Sequence, residues 1–105
     1  MKKIINNLTY NTETAEFICD AGNDLPYSDF KHEDSRLYRT KNGRYFLCGC
    51  GGALSRFAVV LDSGGQCGRD TDTIVALDED EARQLVELHG DSDDYVRCFG
   101  EPEEA

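Results

Sequence analysis

The dipeptide Asn42-Gly43 lies between two apolar and aromatic runs, Leu37-Tyr38 and Tyr45-Phe46-Leu47. Asn and Gly tolerate the left-handed backbone that a two-residue turn between twisted strands requires. Residues 36–50 are therefore predicted to form a β-hairpin. Centring the turn on Asn42-Gly43 sets Lys41 opposite Arg44, Thr40 opposite Tyr45, Arg39 opposite Phe46 and Tyr38 opposite Leu47. One face of the ribbon then carries Tyr38, Thr40, Tyr45 and Leu47. The other carries Leu37, Arg39, Lys41, Arg44, Phe46 and Cys48.

The rest of the chain fits around that hairpin. Residues 3–10 read as a shorter hairpin turning at Asn6-Asn7, and residues 15–19 as a strand. Residues 20–35 are polar and loop-like, with Tyr27 and Phe30 expected to tuck into the core. Gly49, Gly51 and Gly52 make a corner into residues 53–61, which read either as strand or as a helical turn entering one. Residues 62–72 are predicted as loop and 73–77 as the last strand. Asp78 and Glu81 form a capping-box pattern, and Ala82, Leu85, Val86 and His89 give one apolar helical stripe ending at Gly90. Residues 91–94 can cap a second helix, 94–99, that packs Tyr95, Val96 and Phe99; Gly100 ends it, and residues 101–105 are a frayed acidic tail. The expected fold class is α+β: a single domain over 1–105, with an antiparallel sheet of four to six strands and one or two C-terminal helices on one face.

Composition narrows the class of function. The chain has 105 residues with 21 acids against 11 bases, a net charge of −10 that disfavours free duplex DNA as a partner. Its longest apolar run, residues 57–61, is too short to span a membrane, and no signal-peptide apolar region follows Lys2-Lys3. A cytoplasmic protein without membrane association is expected. The charge is also sorted along the chain. Residues 36–61 hold five bases and no acid, whereas residues 70–105 hold thirteen acids and two bases.

Lys41 facing Arg44, with Arg39 beside them, would set like charges across a strand pair and call for an anion, either acidic side chains of this chain or a phosphate backbone. Arg39, Lys41, Arg44 and Phe46 are thus candidate RNA contacts, with Phe46 available to stack on a base. On the helices, Asp78, Glu79, Asp80, Glu87, Asp91, Asp93 and Asp94 are expected to point outward as a partner-binding surface. Such carboxylates can imitate a nucleic acid and occupy a basic cleft.

Five cysteines, Cys19, Cys48, Cys50, Cys67 and Cys98, are read as free thiols. Zinc held by Cys48, Cys50, Cys67 and Cys98 is the weaker alternative, because only Cys48-Gly49-Cys50 is closely spaced. No nucleotide loop, metalloprotease helix or nucleophile elbow is present, so neither a catalytic residue, a metal nor a cofactor is assigned and a non-enzymatic protein is expected.

Three stretches carry a family resemblance: Tyr10-Asn11-Thr12-Glu13-Thr14-Ala15, residues 36–57 from Arg36-Leu37-Tyr38 through Gly51-Gly52-Ala53 to Phe57, and Asp78-Glu79-Asp80-Glu81-Ala82-Arg83. Together they resemble small acidic proteins of plasmids, conjugative elements and phages of Gram-positive bacteria. That neighbourhood includes type II anti-CRISPR proteins, inhibitors of Cas9-type nucleases. Cys48 and Cys50 depart from the family pattern. The resemblance implies a counter-defence role, with a Cas9-type nuclease or its guide-RNA complex as partner. The alternative is a regulator or adaptor of a mobile element, with a homodimer through a sheet edge compatible with either.

Overall fold

The computed structural model describes residues 1–23, 25–26, 28–60 and 65–105. It is an α+β fold of eight strands and two helices among those residues: β1 (Lys2–Ile5), β2 (Leu8–Asn11), β3 (Glu16–Asp20), β4 (Glu33–Arg39), β5 (Tyr45–Gly51), β6 (Val59–Val60), β7 (Gln66–Cys67), β8 (Arg69–Leu77), α1 (Glu79–His89) and α2 (Ser92–Phe99). The central antiparallel sheet runs β3-β4-β5-β8, while β1-β2 and β6-β7 are separate two-stranded ribbons. The β1-β2 turn is the predicted one: Asn6 and Asn7 both adopt positive φ, 50° and 66°.

The central hairpin closes differently from the prediction. Its register pairs Arg39 with Tyr45, Tyr38 with Phe46 and Leu37 with Leu47, one residue away from the expected set. The loop is Lys41-Asn42-Gly43: the Gly43 N–H donates to the Thr40 carbonyl at 2.9 Å and the Thr40 N–H to the Arg44 carbonyl at 2.7 Å. Only Gly43, at φ 81°, enters the left-handed region, so a tight turn followed by a left-handed glycine replaces the two-residue turn. A one-residue slip moves every side chain of one strand to the other face relative to its partner, so Leu37 joins Tyr45 and Leu47 while Tyr38 joins Phe46 and Cys48. Lys41 therefore does not oppose Arg44, and the cross-strand repulsion expected there does not arise.

Two cores result, one on each side of the sheet. On the helix side, Leu37, Tyr45 and Leu47 meet Ile18, Cys19, Phe57, and Ala82 and Val86 of α1, with Tyr95, Cys98 and Phe99 of α2 packed around them. An irregularity in the β3-β4 register between Phe17 and Cys19 accompanies the burial of the consecutive residues Ile18 and Cys19 in this core. On the opposite side, Phe46, Cys48 and Ile74 are covered by Tyr10 of the β1-β2 ribbon. Tyr38 stacks on Phe46 with ring centroids 5.2 Å apart, and Tyr10 meets Phe46 edge-on at 5.5 Å.

Several loop expectations change. Phe30 is 67% exposed rather than buried, and Tyr27 lies outside the described residues. Residues 53–57 form turns before β6, with the Ser55 hydroxyl bound to the Gly52 carbonyl at 2.7 Å. The segment predicted as loop holds β7 and the start of β8; its residues 62–64 lie outside the described set. α2 begins two residues earlier than predicted, at Ser92, with Asp91 as its cap. Gly90 caps α1 in an extended conformation, φ −87°, so no left-handed residue ends that helix.

Candidate acidic interface on the C-terminal helices

The two helices start with the same device. Asp78 accepts from the Glu81 N–H at 2.8 Å while Glu81 accepts from the Asp78 N–H, and Asp91 accepts from the Asp94 N–H at 2.8 Å while Asp94 accepts from the Asp91 N–H. Each box satisfies N–H groups that a helix start leaves without partners and places negative charge at the positive end of the dipole. Apolar residues anchor the helices to the sheet, and polar tethers fix α2 in place. The Tyr45 hydroxyl donates to the Cys98 carbonyl at 3.3 Å, and the Arg39 guanidinium to the Arg97 carbonyl at 2.9 Å. Glu16 of β3 receives Arg39 at 3.0 Å and Arg97 at 3.5 Å, joining strand, hairpin and helix.

The seven carboxylates predicted as an outward array divide into four kinds. Asp78 and Asp91 are exposed but engaged as caps. Glu79 and Asp80 are exposed and share Arg83, at 3.1 Å and 3.5 Å. Glu87 and Asp93 are exposed and make no ion pair among the described residues. Asp94 does not point outward: its side chain is 20% exposed and is held by Arg97 at 3.0 Å as well as by the cap. Its inward position is also felt at Cys19, whose thiol is pushed up to about 11 by burial first and by the Asp94 charge second.

The basic candidates separate as well. Phe46 is fully buried, covered by Tyr10 and Tyr38, so it has no ring face to offer a base. Arg39 faces the helices instead of solvent and is committed to Glu16 and the Arg97 carbonyl. Lys41 and Arg44 remain exposed, with no ion pair among the described residues. Lys41 shares a cleft of about 520 Å³ with Arg39, Tyr45, Glu79 and Cys98, which brings the turn beside the start of α1. Two further arginines are paired outside the helices, Arg36 of β4 with Asp72 at 2.8 Å and Arg56 of the turns after β5 with Glu33 at 3.0 Å.

The cysteines do not converge. Cys48 lies in the core on the ribbon side of the sheet and Cys98 packs on the helix side, so the four-cysteine alternative fails on placement. No group of three or more His, Cys, Asp or Glu side chains is placed to hold a metal among the described residues. Cys98, like Cys19, has its thiol pushed up chiefly by burial, which keeps both in the unreactive protonated form at neutral pH. Among the described residues, no helix is long and apolar enough to cross a membrane.

Sequence reasoning missed a groove between the end of α1, the start of α2 and the tail. It has a volume of about 580 Å³ and includes Val86, Glu87, Asp91, Tyr95, Val96, Glu101 and Pro102 in its lining. Residues 101–105 have no regular structure, yet Glu101 and Pro102 form one wall. Pro102, two residues past the cap Gly100, was the available signal, because it restricts the path on which the chain can leave.

The double role of Asp91 can be separated by substitution. Asp91→Ala is expected to cost about 1 kcal/mol through loss of the cap, whereas Asp91→Asn keeps the accepting oxygen and stays within a few tenths of wild type. Thermal melts of the two variants check this; equal destabilisation would show that charge at the helix start outweighs the cap hydrogen bond.

Comparison of the chain with family models, with curated proteins and with solved structures finds no match.

Proposed function

We propose that this chain is a non-enzymatic inhibitor of a Cas9-type RNA-guided nuclease, holding the negative surface of its C-terminal helices against a basic nucleic-acid channel. One observation carries the reading. From Asp78 onward the chain has eleven acids and two bases, and the arginines of the β4-β5 ribbon form their ion pairs with Glu16 and Asp72, not with those helices. The helical charge is therefore uncompensated apart from Arg83 and Arg97, and such a field attracts basic surfaces at long range. The choice of a Cas9-type target rests on the resemblance of residues 10–15, 36–57 and 78–83. The route through guide RNA is the weaker one, since Phe46 is buried and Arg39 is engaged.

A DNA-cleavage assay with varied order of addition tests the reading. A surface that competes with DNA for a basic channel inhibits when added before target DNA and loses at least about tenfold in potency when added after it. The double variant Glu87→Lys, Asp93→Lys reverses two exposed charges while leaving caps and ion pairs intact. It is expected to lower inhibition by at least about tenfold, with wild-type inhibition weakening as salt shortens the screening length. Undiminished inhibition by the double variant would overturn the acidic-surface route. Inhibition that requires addition before guide RNA would transfer the role to Lys41 and Arg44.

A further inference from the structure

The groove between α1, α2 and the tail combines two features that separately mean little. Its lining has an apolar and aromatic part, Val86, Tyr95, Val96 and Pro102. The same lining carries Glu87, Asp91 and Glu101, none in an ion pair among the described residues, and no Lys or Arg of those residues lines it. The two cations of the region are turned elsewhere: Arg83 pairs with Glu79 and Asp80 and lies over the Phe99 ring, 5.2 Å from its centroid, and Arg97 pairs with Glu16 and Asp94. An apolar partner alone would leave Glu87 and Glu101, and the charge of the cap Asp91, without a counter-ion, and a purely charged one would leave the apolar part uncovered. A long basic side chain satisfies both, with its stem on the apolar part and its head among the carboxylates. Arginine fits best, since its planar head pairs with carboxylates in a fork and stacks on a ring such as Tyr95.

We infer that this groove is a docking site for an arginine-bearing, partly apolar segment of a partner protein. This deepens the reading above, on which it rests for the identity of the partner but not for the chemistry of the groove. The acidic surface supplies attraction from a distance, and the groove supplies the anchor that fixes orientation.

The probe is a short amphipathic peptide with arginines on one face and leucines on the other, titrated into the isotope-labelled full chain and followed by backbone amide shifts at about 0.15 M salt. Shifts are expected at Val86, Gly90, Tyr95 and Val96. The same peptide with serine in place of leucine should bind about tenfold more weakly. Glu87→Lys with Glu101→Lys should weaken binding about tenfold. Glu103→Lys with Glu104→Lys changes the net charge equally on the exposed tail outside the groove, and should weaken it by no more than about twofold. Equal losses for the two double variants would overturn the inference by reducing it to general charge attraction. Shifts confined to other residues, or stronger shifts with single-stranded RNA than with the peptide, would also overturn it. Peptide binding here without nuclease inhibition would retain the groove and dismiss the Cas9 reading; inhibition without peptide binding would do the reverse.

Discussion

Phe46→Ala is expected to destabilise the fold by about 3–5 kcal/mol, a loss large enough to leave little of a small domain's stability. Phe46 is wholly buried, and both Tyr10 and Tyr38 pack against its ring. Truncation leaves a cavity that a sheet and a two-stranded ribbon cannot easily close. In a thermal melt this corresponds to a fall on the order of 15–30 °C for a chain of this length. Phe46→Leu, which keeps most of the volume, should lose about 1.5 kcal/mol or less. The measurement also decides between two roles for the ring. A Phe46→Ala variant with an unchanged melt and weakened RNA binding would return Phe46 to the surface and refute the observed register.

Gly49→Ala should be comparably damaging, for a different reason. Gly49 sits in β5 opposite Ser35 of β4 and Thr73 of β8, so its neighbours on both sides are paired strands. A Cβ there would lie 2.6 Å from both Cα and Cβ of Ser35 and would also run into the Asp34 carbonyl oxygen. These are backbone atoms and a β-carbon, which cannot swing aside as a side-chain tip can. The central strands would have to separate, at a cost of about 3 kcal/mol, the upper end of the usual overpacking range. Gly43→Ala is the informative contrast. Its Cβ meets nothing within 4 Å, so only the left-handed φ of 81° is penalised, at about 1–2 kcal/mol. Urea unfolding midpoints order the two; a Gly49→Ala midpoint above that of Gly43→Ala would contradict the close strand approach.

Local chemistry made several elements legible in the sequence. Asn6-Asn7 marked a turn because both residues tolerate positive φ, and Asp78 with Glu81 marked a helix start because a carboxylate can reach back to free N–H groups. The hairpin register was not legible. Asn42-Gly43 serves equally as a two-residue turn or as the end of a three-residue loop. Alternation could not arbitrate, because both faces of the sheet are covered and apolar residues occupy both, Leu37 and Leu47 on one, Tyr38 and Phe46 on the other. That ambiguity misplaced Arg39 and Phe46 together. For the acidic candidates, residue type indicated charge but not engagement. Asp94 and Glu87 are alike in charge, and only the fold shows one held by Arg97 and the other lining an open groove. The groove itself depends on how the end of α1, α2 and the tail pack against one another, of which Pro102 was the one local sign.

Ile18, Leu37 and Leu47 are sealed from water by Ala82 and Val86, which follow them by dozens of residues. A nascent chain that has emerged only as far as β5 therefore holds half of its core bare. Strand β8 and both helices leave the ribosome after β5, and the long-range pairing of β5 with β8 must wait for that strand. The segment that completes folding is also the one bearing the carboxylates. Newly made molecules acquire their negative face in the same event that seals the interior, so a chain interrupted before Asp78 would possess neither.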